Sequence, residues 1–135
     1  MVNKSDKDAL FRKVDCIRIP VSNLEDGLKF YRDKLDHKLI WRKESSIGLK
    51  IPESEAELVI HTEHYEPETD IMVKSVEIAA KRFIEAGGSI IEEPFDIPIG
   101  KCVIVKDPWG NKFVLLDSSK GIFKTDSNGY VIELK

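Results

Sequence analysis

Four side chains in this sequence have types and positions suited to chemistry inside a fold: Cys16, Arg18, His61 and Trp109. Arg18 lies in the run Val14 to Val21, where apolar residues alternate with others. Period two sets Cys16, Arg18 and Pro20 on one face of a strand and Ile17, Ile19 and Val21 on the other. A guanidinium on an inward face needs an anion. Either it grips a ligand carboxylate or phosphate through paired N–H donors, or it forms a structural ion pair with Glu68 or Asp70. His61 ends a second alternating run, Ala56 to Thr62, with Val59 on its face and Leu58 and Ile60 opposite. Its imidazole is either a general base or hydrogen-bond partner for a ligand, or a satisfied histidine at a strand end. Trp109 stands in a tight turn, where it either anchors on the protein or stacks on a flat ligand. Trp41 reads as core or dimer interface, and His37 and His64 as solvated.

These residues need strands to hold them, and the sequence supplies two sets. After the first strand, Ser22 or Asn23 can cap a helix by accepting from a free backbone N–H. Leu24, Leu28, Tyr31 and Leu35 then recur at helical spacing, with Asp36-His37 at the helix end. Strands are expected over 38–43, 47–51 and 56–62. An acidic stretch over 63–70 reads as a linker. A weaker echo of strand and helix follows over 71–87. At the offset that lays Val73 on Val21, Lys81 falls on Lys29 and Phe83 on Tyr31. Gly87-Gly88 stops the second helix. A strand over 89–92, a proline-bearing loop over 94–100, and a hairpin of 101–105 with 112–116 about Asp107-Pro108-Trp109-Gly110-Asn111 complete the second set. Asn128-Gly129 between apolar runs marks a small terminal hairpin.

The fold class expected is therefore α+β: two βαβββ modules forming a cupped mixed sheet, plus a short C-terminal hairpin. All 135 residues are read as one domain, with modules over about 12–62 and 68–118 and the hairpin over 121–135. Hydrophobic content of 41% and charged content of 33% describe a globular chain, and the net charge of −3 gives no reason to expect nucleic acid or an anionic membrane. No apolar run reaches the roughly 20 residues of a membrane helix. The N-terminal stretch is charged and lacks the apolar centre of a signal peptide, so a cytoplasmic location is expected. Cys16 and Cys102 are the two cysteines, without zinc-ligand spacing. Both read as buried free thiols, with no disulfide expected in a reducing compartment.

Three pieces carry a family resemblance: Val21-Ser22-Asn23-Leu24-Glu25-Asp26-Gly27-Leu28-Lys29-Phe30-Tyr31, then Ala86-Gly87, then Asp107-Pro108-Trp109-Gly110-Asn111. Together, in order on a twofold repeat, they resemble the vicinal-oxygen-chelate superfamily of glyoxalase I, bleomycin-resistance proteins, fosfomycin-resistance enzymes and extradiol dioxygenases. The resemblance covers roughly Phe11 to Ser119. It implies a divalent metal in the cup of catalytic members, held by one ligand from each of several strands. The usual His on the first strand falls at Cys16 and the usual Glu near the end at Val114. The second module's first strand offers Glu68, and the fourth strand Val59, or His61 in a shifted register. Cysteine and valine at two of those places point away from metal chemistry.

The expectation is a small-molecule binding protein of the glyoxalase/bleomycin-resistance type, without a metal or other cofactor and homodimeric by resemblance. Its cup would be lined by Cys16, Val59, Glu68, Trp109 and Val114, with Arg18 and His61 fixing polar groups. The alternative is a metal-dependent lyase, isomerase or dioxygenase using Cys16, His61 and Glu68. A third reading fills the cup with the chain's own strand Tyr130 to Leu134.

Overall fold

The computed structural model describes residues 9–121 and 123–134, so the expected lead-in over 1–13 falls mostly outside the described residues. The first half runs β1 (Lys13–Pro20), α1 (Leu24–Leu28), a π-helical segment (Lys29–Lys34), β2 (Leu39–Arg42), β3 (Ser46–Lys50) and β4 (Glu57–His61). The second runs β5 (Glu68–Met72), α2 (Val76–Glu85), β6 (Ser89–Ile97), β7 (Gly100–Lys106) and β8 (Lys112–Leu116). A hairpin of β9 (Phe123–Thr125) and β10 (Val131–Leu134) follows.

The eight main strands form one mixed sheet in the order β2-β3-β4-β1-β5-β8-β7-β6. Each half closes on its own first strand, β4 parallel to β1 and β8 parallel to β5, and β1 and β5 join the halves antiparallel. Period-two alternation sends one set of side chains to the helices and the other into the cup. On the helix side, Leu28 packs with Ile47, Leu49 and Ile60, and Val76, Ala79 and Ala80 pack with Ile71, Val103, Val105 and Leu115. Burying a side chain such as Leu28 contributes about 2 kcal/mol.

Both helices start on side-chain caps. Asn23 Oδ1 accepts from Asp26 N at 2.8 Å, and Ser75 Oγ from Ile78 N at 3.3 Å. The first helix corrects the sequence reading. It has five α residues and then widens to a π turn, with Asp36 at φ 65° closing it where a glycine is commoner. Asp117 ties the second half together: Oδ2 accepts from Val76 N at 2.9 Å, and Oδ1 from Lys101 N at 3.0 Å and Ser119 Oγ at 2.8 Å. The 107–111 turn is closed by Asp107, whose Oδ1 accepts from Trp109 N and Asn111 N at 2.9 and 2.8 Å.

Two expected boundaries move. The acidic linker is shorter than read, because Glu68, Thr69 and Asp70 already belong to β5, where β1 and β8 satisfy their backbone. The loop over 94–100 shrinks to a turn at Pro98-Ile99, because β6 runs through Pro94 to Ile97 with register shifts against β7. Bulges let a strand carry a proline that regular pairing would reject. The terminal hairpin forms as expected and meets the β2 edge through a bridge between Arg42 and Tyr130.

Candidate functional site

The cup floor is a row of residues set by strand register. Cys16 on β1 lies opposite Glu57 on β4 and Asp70 on β5, and Asp70 lies opposite Val114 on β8. In the next row, Arg18 lies between Val59 and Glu68. The walls come from Trp41 on β2, Phe95 and Ile97 on β6, Ile99 in the turn beyond and Ile104 on β7. The cavity so enclosed has a volume of about 670 Å³, within the range of small-molecule sites. Thr125 of the terminal hairpin reaches its lining.

Arg18 is engaged within the protein. Its Nη2 donates to Glu63 Oε1 at 2.6 Å, and its Nε lies 3.7 Å from Glu68 Oε2. Ser45 Oγ donates to the other oxygen of Glu63 at 2.9 Å. Of the two roles open to this arginine, the ion pair is the one formed, chiefly to Glu63 and secondarily to Glu68.

Asp70 is a strongly perturbed group of the floor. It is 8% exposed, its Oδ2 accepts from Cys16 Sγ at 3.5 Å, and its Oδ1 has no hydrogen-bond partner among the described residues. Burial raises its carboxyl to about 9, the nearby Glu68 adds to the rise, and the charge of Arg18 opposes it. The group therefore holds a proton at neutral pH. Burial likewise raises Asp15 and Glu57 and pushes the Cys16 thiol strongly up. Cys102, on the cup face of β7, is pushed up to about 12 for the same reason. These are neutral thiols, as packing cysteines are.

His61 and Trp109 stand apart from the cavity. His61 is fully buried at the end of β4, with Nδ1 accepting from Glu63 N at 3.2 Å. That bond puts the ring proton on Nε2, and burial holds the imidazole below its usual range. Its ring packs on His64 at 4.4 Å between centroids. His64 is exposed, as the sequence reading expected, and it also lines the cavity, 3.5 Å from Glu68 Oε1. Trp109 is 83% exposed at its turn. Of the two tryptophans, Trp41 is the one in the cup: it packs over Gly48 and donates from Nε1 to Glu57 Oε1 at 2.7 Å.

The structure thus gathers Cys16, Arg18, Val59, Glu68 and Val114 on one surface, and adds Asp15, Trp41, Glu57, His64 and Asp70. Asp70 was within reach of the sequence, since Glu68 and Asp70 alternate on one face with Thr69 between them. Their setting in an acidic stretch hid the period. Asp15 reaches the cup through a register shift between Val14 and Cys16, which no local pattern announces.

A divalent metal tests the donor set directly. Donor atoms of Asp15, Cys16 and Asp70 lie within 4.8 Å of one another. The set contains no imidazole, Glu57 is taken by the Trp41 indole, and Val114, next in the row, offers no donor atom. Zinc takes thiolate ligands, but burial holds the Cys16 thiol protonated, and a harder ion needs more oxygen ligands than the two carboxyl groups that remain. These residues do not fit the metal that the fold implies.

A family model described as Glyoxalase/Bleomycin resistance protein/Dioxygenase superfamily matches residues 13–115. No curated protein matches the chain. Among solved structures, methylmalonyl-CoA epimerase from Mycobacterium tuberculosis is similar at 15% identity, over 87% of this chain and 92% of that one, with a TM-score of 0.70. Homoprotocatechuate 2,3-dioxygenase from Brevibacterium fuscum, in complex with 3,4-dihydroxyphenylacetate, is similar at 20% identity, over 80% of this chain and 37% of that one, with a TM-score of 0.60. At such identities the likeness is one of fold.

Proposed function

The chain belongs to the Glyoxalase/Bleomycin resistance protein/Dioxygenase superfamily, and on that footing we propose that it binds a small organic molecule in the cup without a catalytic metal. The observation that supports this most is the cavity of about 670 Å³, with apolar residues of β6 and β7 on one side and ionisable groups of β1, β4 and β5 converging on its floor. Such a site excludes water from most of a ligand and orients it through few hydrogen bonds. The protonated Asp70 can donate to a ligand acceptor, and its unpartnered oxygen can accept. The thiols are protonated and apolar in effect, which suits sequestration or delivery better than covalent chemistry.

A homodimer accords with the same reading. Val14 and Ile17 on β1 and Phe30 beyond α1 remain 41%, 41% and 50% exposed, and apolar surface of this kind favours a partner.

A thermal-shift screen of small molecules against the wild type and Ile104→Trp tests the proposal. The variant fills the cup from β7. Compounds that bind in the cup raise the melting temperature of the wild type with concentration, by mass action, and leave the variant unmoved. Stabilising compounds that act equally on both proteins would place binding elsewhere and overturn the reading.

A further inference from the structure

Building on that reading of the cup, we propose that its ligand is an organic cation, an amine or amidine on an apolar ring-sized body, with the positive head seated over Asp70. The lining is acidic. Asp15, Glu55, Glu57, Glu63, Glu68 and Asp70 face Arg18 and Lys43 as the full cations of the wall. Arg18 is already shared between Glu63 and Glu68. Lys43 lies beside the indole of Trp41, 5.8 Å from the ring centroid.

On the floor itself, the donors that meet the carboxyl groups are neutral. Glu57 takes the indole N–H of Trp41, and Asp70 takes the thiol of Cys16. Oδ1 of Asp70 is more than nine-tenths buried and has no partner among the described residues. A buried acceptor without a donor costs free energy that a ligand donor recovers. An ammonium supplies the missing N–H, and its charge favours the ionised form of Asp70, which on binding gives up the proton it otherwise holds; the bond so formed is charge-assisted, about twice as strong as a neutral one. An anionic head would meet the same carboxyl groups with no arginine left to receive it. The rest of the cavity suits the body of such a ligand: Trp41 and Phe95 present aromatic surface, and Ile97, Ile99 and Ile104 are aliphatic. An aromatic wall close to an ammonium adds attraction of its own.

Three probes that share an indole body separate the possibilities: tryptamine is cationic, tryptophol neutral and indole-3-acetate anionic at neutral pH. Each is titrated into the full chain, with binding read from the amide resonances of the cup strands. The dissociation constant for tryptamine is expected to be lower than for tryptophol by about tenfold or more, with indole-3-acetate weakest. Asp70→Asn removes the advantage of tryptamine, read as the ratio of its dissociation constant to that of tryptophol in the same variant. Asp15→Asn reduces the advantage in part, and carries the test if Asp70→Asn does not fold. Tightest binding of indole-3-acetate, or an advantage of tryptamine that survives both variants, overturns the inference. Equal binding of all three overturns it while leaving the cup as a binding site. If none of the three moves a cup resonance, the cup reading falls with it.

Discussion

The thiol of Cys16 and the carboxyl of Asp70 face each other across the β1–β5 pair, with Sγ 3.5 Å from Oδ2. That contact joins the two halves of the molecule at the cup floor. Both groups are uncharged in the absence of ligand because burial raises them, Asp70 to about 9.

Stability should therefore fall with rising pH. A carboxyl whose folded pKa lies above its unfolded value holds a proton that the unfolded chain has released. Between the two values folding binds protons, and each rise in pH weakens it. For Asp70 that window runs from the model-peptide value of 3.8 to about 9. Melting temperature, followed from mildly acid to mildly alkaline pH, is expected to decline in the wild type. Asp70→Asn should flatten the decline and be the more stable protein at the alkaline end. A wild-type curve that rises across the window would contradict the burial account.

Asp117 has the opposite sign. Burial works to raise its carboxyl, but the N–H groups of Val76, Lys101 and Ser119 and the Ser119 hydroxyl outweigh burial and hold it below the usual range. Its stabilising effect is present above the unfolded pKa and is lost as pH falls through the folded one. Asp117→Ala leaves several backbone donors without their acceptor and should cost about 2–4 kcal/mol in chemical denaturation. A loss well under 1 kcal/mol would show that water replaces the carboxylate.

Arg18→Gln should lower stability by about 1–3 kcal/mol, since it strips the cation from Glu63 and Glu68. Cup binding of tryptamine should persist or strengthen, because the floor becomes more acidic. Loss of tryptamine binding with unchanged stability would instead make Arg18 a ligand contact.

Gly48 on β3 lies directly under the indole of Trp41, and a Cβ there would overlap it. Gly48→Ala should push Trp41 off Glu57 and shift its emission to the red, while Trp109, already 83% exposed, contributes a constant background. Unchanged emission would mean that the wall adjusts without moving the indole.

Much of the fold was legible because its signals are local. Asn23 and Ser75 as caps, Gly87 as a stop and the 107–111 turn each act within a few residues. The alternation of Cys16 with Arg18, and of Val59 with its neighbours, placed those residues on the cup face correctly. What stayed hidden depends on pairing across the sheet. Asp15 enters through a register shift, Trp41 through a bulge in the β2–β3 pair, and His64 through the packing of His61 beneath it. His61 shares the alternation of Val59, yet it ends its strand and turns to the Glu63 backbone. The choice between ion pair and ligand contact for Arg18 needed the position of Glu63, a residue distant in sequence.

The most direct test of a metal-free binding cup is the metal content of protein purified without affinity tag or chelator, measured again after incubation with zinc, manganese, iron(II) or nickel. A cup whose floor is Cys16, Asp70 and Val114 should hold far less than a full equivalent of any of these ions per chain. A full equivalent per chain, removed by a chelator and lost on Asp70→Asn, would contradict the account and restore the metal-dependent chemistry of the superfamily.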